Sequence, residues 1–250
     1  MINSTTNFRV QNWAKLKDKH HRDKQKLFLV EGYHLVNEGL KTGHVKEIIT
    51  TEKTGKLDVS AEVQVHQVTQ DVMQKVSSLA TPTKIIGVCY KKDTPVGHSQ
   101  SIACGNRLLL VDQVHHPGNL GTIIRNAVAF NIDTIVVNNS VDIYNQKVIQ
   151  ASQGMIFHIN ILKRPIISFI TEIKPQGYQI IGTDVKECVP LHTVKPQEKH
   201  AILIGNEGEG LSGELFEMCD IRVNIEMNEK CESLNVGVAA GIVMYFLASR

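Results

Sequence analysis

The chain has 250 residues, 42% of them hydrophobic and 21% charged, with a formal net charge of +2 at pH 7. That length and apolar content can bury a substantial core and accommodate one large domain or two smaller ones. A charge so near zero gives no argument for nucleic-acid binding by itself, and the longest apolar stretch, residues 234 to 248, is shorter than the ~20 residues a membrane span requires.

In chain order, the N-terminus "MINSTTNFRV" has no apolar signal core, so neither export nor anchoring is expected. Next comes "RVQNWAKLKDKHHRDKQK", where seven cations (Arg9, Lys15, Lys17, Lys19, Arg22, Lys24 and Lys26) outnumber two acids, Asp18 and Asp23. The stretch reads either as a solvated helix or as a basic arm contacting phosphates, with Trp13, His20 and His21 as further contacts. "KLFLVEG" is a strand into a turn at Gly32, and "YHLVNEGLKTG" a helix closed by Gly43. "VKEIIT" and "VQVHQV" read as strands, "TQDVMQKVSSL" as a helix capped by Thr69, and "KIIGVCY" as a further strand. This α/β unit ends near Tyr90. Residues 91 to 106, "KKDTPVGHSQSIACGN", have a linker's composition.

The second half opens with "RLLLVD", an apolar run suited to a strand buried on both faces. A helix from Pro117 to Phe130 follows, then "DTIVVNN", the helical "YNQKVIQAS", "MIFHINIL", "PIISFITEI", "YQIIGTD", "AILIGN", "SGELFEM", "DIRVNI" and a long helix from Ser233. Strands alternating with helices predict a mostly parallel sheet covered on both faces. Its ligand site is expected at the carboxyl ends of the strands. The five cysteines, Cys89, Cys104, Cys188, Cys219 and Cys231, are odd in number and lack CxxC pairing, which predicts a reduced, cytoplasmic protein.

Three segments carry candidate chemistry. In "DQVHHPGNLGTIIRNAVAF", Pro117 and Asn119 sit at a helix start, and Arg125 lies one turn beyond Gly121 on the same face. From this segment alone, an ordinary helix start with a surface arginine is the better reading. His115 and His116 have no further ligand at metal spacing, so no metal is expected. In "AILIGNEGEGLS", residues 208 to 213 match GxGxxG formally. Glu207 and Glu209 would put negative charge beside a pyrophosphate, which such loops instead bind with bare amides. A ligand neutral or cationic at this loop fits better. In "IEMNEKCESLNVGVAAGIVMYFLASR", Ser233 is a plausible N-cap, and Gly237, Ala240, Gly241 and Met244 form a small-residue stripe, better read as core packing.

Asn119-x-Gly121-x-x-x-Arg125, then GNEGEGLS, then Ile225-x-Met227 followed by SLNVxVAAGI, in this order, resemble the SpoU or TrmH family of RNA ribose 2′-O-methyltransferases within the SPOUT superfamily. The resemblance covers roughly residues 107 to 250. The first half resembles the L30e-like substrate-binding domain that many members carry. It implies an α/β protein in which residues 1 to 98 bind RNA, residues 99 to 106 are a linker and residues 107 to 250 form the catalytic domain. It also implies a trefoil knot, an exception to the rule against threaded chains, and a homodimer whose two subunits build the active sites. The implied methyl donor is S-adenosylmethionine, whose cationic sulfonium and lack of phosphate tolerate the loop's carboxylates, while its glycines admit the adenosine.

Carried over by position, the resemblance puts Gly205, Ile225 and Leu234 at the donor, with Asn206, Met227 and Thr183 nearby. Arg125 becomes the catalytic group, supported by Asn119, Glu207, Ser233 and Asn235. A general-base role for Arg125 conflicts with arginine's persistent protonation, so stabilising the alkoxide or gripping a phosphate is at least as good. The RNA-binding residues would be Arg9, Lys15, Lys17, Lys19, Arg22 and Lys24. Two positions depart from the family pattern: Glu226 stands where proline is usual and Gly237 where serine is. The first removes a fixed φ and adds a charge beside the donor. Ribosomal RNA of the large subunit is expected as substrate ahead of transfer RNA; an RNA-binding or assembly factor with weak transfer is the alternative, and an NAD-dependent oxidoreductase a remote one.

Overall fold

The computed structural model describes residues 1–53, 55, 57–92, 104–184 and 188–248; most of the expected linker, residues 93 to 103, lies outside them. The chain divides into two compact units. The first contains Met1–Asp93 and Asp142–His158, the second Thr94–Val141 and Ile159–Arg250. Residues 142 to 158, which sequence order places in the second half, thus pack with the first unit.

The first unit is built on a four-stranded sheet in the order β1-β4-β2-β3. Its strands are β1 (Leu27–Glu31), β2 (Val45–Thr50), β3 (Gln64–Gln67) and β4 (Ile85–Tyr90). β4 runs antiparallel to both β1 and β2, and β3 parallel to β2. The basic stretch is two packed helices, α1 (Phe8–Lys15) and α2 (Lys19–Gln25). Its apolar residues recur at Val10, Trp13 and Leu16, three apart, so one face joins Val72, Met73 and Val76 of helix α4 (Gln70–Val76) in the core. Helix α3 (Tyr33–Lys41) follows β1, and α6 (Gln146–Ser152), capped by the Asn145 side chain on Lys147 N, belongs to this unit too. Gln146 and Gln150 donate side-chain hydrogen bonds to the Leu29 and Glu31 carbonyls of β1.

The second unit carries a seven-stranded sheet, parallel throughout, in the order β7-β6-β5-β10-β8-β11-β9. The strands are β5 (Arg107–Asp112), β6 (Thr134–Asn138), β7 (Asn160–Lys163), β8 (Gln179–Thr183), β9 (Val189–Pro190), β10 (His200–Ile204) and β11 (Ile221–Asn224). The runs "LLLV" and "AILI" are buried at every position, as central strands covered on both faces must be. Alternate residues of the central strands, including Leu108, Leu110, Ala201 and Leu203, pack with Phe169, Ile170 and Ile173 of α7 (Ile166–Ile173) and Leu215 of α8 (Gly213–Glu217). Helices α5 (Pro117–Ala129) and α9 (Val236–Ala248) pack on each other, and α9 also meets β10. Their approach is close: a Cβ on Gly241 would lie 2.7 Å from the Asn126 amide nitrogen. The small-residue stripe of α9 is therefore packing, as expected.

Candidate functional site

The strand order places three carboxyl ends side by side. β10, β8 and β11 are consecutive neighbours, with Leu203 opposite Gly182 and Thr183 opposite Val223. Consequently Gly205, Thr183 and Ile225, taken from three separate stretches of sequence, share one edge of the sheet. Ile225, Met227 and Leu234 are half-buried, so they offer apolar surface without being sealed in the core. The Thr183 hydroxyl is already engaged, donating to the Leu203 carbonyl at 3.2 Å.

The glycine loop is held by its own atoms. Asn206 and Gly210 exchange backbone hydrogen bonds of 2.9 and 3.2 Å. The Asn206 Oδ1 accepts from Gly208 N and Glu209 N, and its Nδ2 donates to the Gln113 carbonyl at 3.0 Å. A Cβ at Gly205 would sit 2.2 Å from the Gly210 carbonyl oxygen, and Gly210 has φ +71°. These two glycines are thus required by closure of the loop itself.

Glu207 ties this loop to the start of α5. Its carboxylate accepts from His116 N (3.0 Å), His115 N (3.3 Å) and Asn119 Nδ2 (3.3 Å). Burial opposes its ionisation, but the bonds from His116, Asn119 and His115 outweigh that and hold its pKa below the ordinary carboxylate value. The Asn119 Oδ1 accepts in turn from Asn235 Nδ2 at 2.9 Å. Asn235 Oδ1 caps α9 by accepting from Gly237 N and Val238 N at 3.0 and 3.3 Å. The cap expected at Ser233 is therefore supplied two residues later; Ser233 is exposed, and its carbonyl accepts from the Cys231 thiol.

Three of the five expected catalytic residues, Asn119, Glu207 and Asn235, thus form one hydrogen-bonded chain. Arg125 stands apart from it: six residues beyond Asn119 on the helix, it points ~120° away around the axis. It is exposed and, among the described residues, makes no hydrogen bond or ion pair. Sequence reasoning passed over Asp112 and Asn138 at the ends of β5 and β6. Asp112 is buried and accepts from Asn138 Nδ2 at 2.8 Å; the one available signal was an acid ending an apolar run.

The RNA-binding candidates separate clearly. Arg22 is a correction: it is 4% exposed, pairs with Asp142 at 2.6 Å and donates to the Leu16 and Lys17 carbonyls. A guanidinium committed to the interior in this way cannot meet a phosphate. Trp13 is likewise buried, with its indole N–H on Glu47. Lys19 pairs with Asp23 on α2, Arg9 reaches Gln64 and His66, and Lys24 is exposed. Lys15 and Lys17 line a groove of about 880 Å³ together with Gln11, Gln74 and Lys75 and one acid, Asp71. Lys17 donates to the Lys75 carbonyl at the end of α4, and burial pushes its pKa down. Among the described residues no cluster of His, Cys, Asp and Glu could hold a metal ion.

Comparison with known proteins places this geometry. Residues 7–87 match the MRM3-like substrate binding domain. Over 98% of both chains, the protein is 36% identical to the 23S rRNA (guanosine(2553)-2′-O)-methyltransferase RlmP of Bacillus subtilis (strain 168). An rRNA methyltransferase from Sinorhizobium meliloti, solved with AdoMet bound, superposes with a TM-score of 0.87 at 27% identity, covering 99% of this chain and 97% of that one. A crystal structure of an RNA 2′-O ribose methyltransferase does so with 0.83 at 25% identity, covering 99% and 98%. The SpoU rRNA Methylase family model matches residues 106–245, more than half the chain and all of the strand-end edge described above, and the protein belongs to that family.

Proposed function

We propose that the acceptor is a ribose 2′-hydroxyl of large-subunit ribosomal RNA, modified at the carboxyl edge of the seven-stranded sheet. The protein is an RNA ribose 2′-O-methyltransferase that uses S-adenosylmethionine. One observation carries the assignment of the site: Gly205, Thr183 and Ile225 meet on adjacent strand ends, beside the hydrogen-bonded chain Glu207–Asn119–Asn235.

The chemistry of this edge fits the donor. S-adenosylmethionine supplies a methyl group on a cationic sulfonium. Gly205, Ile225 and Leu234, with Asn206, Met227 and Thr183, would hold it, and the half-buried apolar side chains suit its adenosine. Glu207 remains a carboxylate through the neutral range, which favours a nearby cation. Its low pKa makes it a poor proton acceptor, so its task is to hold loop and helix together. Arg125 is exposed and without a hydrogen-bond or ion-pair partner among the described residues, and it stabilises the developing alkoxide or grips the neighbouring phosphate. Ser233 stays in the proposal as a residue close to Asn235 in sequence, without a contact of its own to the network.

For the RNA, the groove of Lys15, Lys17 and Lys75 supports a phosphate-binding face on the first unit. Arg9, Lys19 and Lys24 are peripheral to it, and Arg22 is withdrawn. A homodimer is part of the reading, supported by Val238, Ile242 and Tyr245, which form an exposed apolar stripe on α9 at 49%, 38% and 62% exposure. So is the trefoil knot, supported by the insertion of β10 between β5 and β8. The reading requires the cytoplasm; no helix among the described residues is long and apolar enough to cross a membrane.

The test is transfer of labelled methyl from S-adenosylmethionine to total RNA from a strain lacking the gene, separated into ribosomal and transfer RNA. Label in 23S RNA as 2′-O-methylribose is expected. Label confined to transfer RNA overturns the substrate, and RNA binding without any transfer overturns the reaction.

A further inference from the structure

The contact that Glu226 makes is set by strand register. β9 pairs with β11 in parallel, Val223 opposite Val189 and Asn224 opposite Pro190. Continued two residues further, the same register puts Glu226 opposite His192. The backbone pairing has ended there, but the side chains meet: His192 Nδ1 lies 2.9 Å from Glu226 Oε2.

Both sides of this contact are folded locally. His192 is the middle residue of a 3-10 turn, Leu191–Thr193. The turn is closed by Val194 N on the Leu191 carbonyl at 3.1 Å and by the Thr193 hydroxyl on the Pro190 carbonyl at 2.7 Å. Leu191 is buried, which seats the turn on the second unit. On the other strand the chain turns again at Asn228, whose carbonyl accepts from Cys231 N at 2.8 Å and whose side chain accepts from Lys230 N at 3.0 Å. Residues 225 to 227 span the gap between the last ladder pair and this turn. They are in neither helix nor strand.

We infer that His192 and Glu226 are positioning residues: their side-chain tie extends the β9–β11 pairing by two residues and sets the backbone that presents Ile225 and Met227 to the methyl donor. The inference rests on the donor reading of this edge. Both act through the backbone in this reading and not by contact with the donor. The pair is exposed, at 59% and 66% for the two side chains, and exposed pairs of this kind shift an equilibrium by about two- to fivefold.

The experiment uses the full-length chain and two readouts, amide hydrogen exchange of the peptide covering residues 221 to 230 without donor, and titration with S-adenosylmethionine. H192A and E226A are each expected to speed exchange and raise the donor Kd about two- to fivefold. The double variant should do no more than either single one, because both remove the same tie. E226Q keeps an oxygen acceptor for the imidazole and is expected to stay near the parent in both readouts. Unchanged exchange in both single variants, or effects that add in the double one, overturns the inference. Coupled acceleration of exchange in a chain that binds no S-adenosylmethionine supports the tie and overturns the donor reading, so the two failures are told apart.

Discussion

Among the described residues the exposed Arg125 guanidinium has no hydrogen-bond or ion-pair partner, while Asn119, six residues earlier on the same helix, is locked into a network. The two residues therefore separate into different tasks. R125A is expected to lower methyl transfer by about 100-fold or more and to leave donor binding nearly intact; transfer kinetics and a donor titration on the same preparation decide it, and equal activity removes Arg125 from the chemistry. Glu207 gives a prediction with a sign. Its pKa is depressed on folding, so its contribution is complete above its unfolded value of ~4.3 and disappears as pH falls through the lower folded value. E207Q should accordingly melt below the parent at pH 7 and converge on it at acid pH; a difference that grows on acidification would contradict the bonding pattern. The helix start and the surface position of Arg125 were readable from the segment, but the bonds of Asn119 were not, since its partners Glu207 and Asn235 lie 88 and 116 residues away in sequence.

At the level of elements, the glycine loop behaves as a small rigid part. Placing a Cβ against the Gly210 carbonyl in G205A is an overpacking of the kind that costs about 1–3 kcal/mol, or about five- to 150-fold in donor Kd if that cost falls on the closed loop; a donor affinity equal to the parent's would show that the loop has slack. On the first unit, K15E combined with K75E should lower the slope of log affinity for RNA against log salt by about 2 if both meet phosphates, whereas K19E should leave it nearly unchanged because Lys19 already pairs with Asp23. The strands were the legible elements. "LLLV", "IVV" and "AILI" are apolar at consecutive positions, and burial on both faces accounts for that. Caps were less legible: serine, threonine and asparagine compete for the same amides, and at α9 the asparagine nearer the helix won. Arg22 was misread for a related reason. A basic stretch looks solvated from composition, yet one cation in it can turn inward when a distant acid is waiting, and Asp142 is 120 residues away in sequence.

For the molecule as a whole, the partition of the chain matters more than the count of units. The first unit contains residues 142 to 158 as well as the N-terminal segment, and three of its internal ties cross that gap: Arg22 with Asp142, Glu38 with His158 at 2.7 Å, and Gln146 with the Leu29 carbonyl. A chain cut to residues 1 to 98 therefore keeps Arg22 and loses its counterion, a change worth about 3–5 kcal/mol out of the 5–15 kcal/mol that stabilises a typical domain. Such a fragment should melt well below the intact protein, and a peptide of residues 142 to 158 added in trans should raise its transition; a fragment as stable as the parent unit would refute the dependence. The same partition reaches into the timing of synthesis. At roughly 5–20 residues per second, the amino-terminal unit waits seconds after its own sheet has been made for the segment that completes it, so on the ribosome it cannot finish folding first, and a pause or a truncation anywhere before residue 158 would hand the cell an unfinished amino-terminal unit.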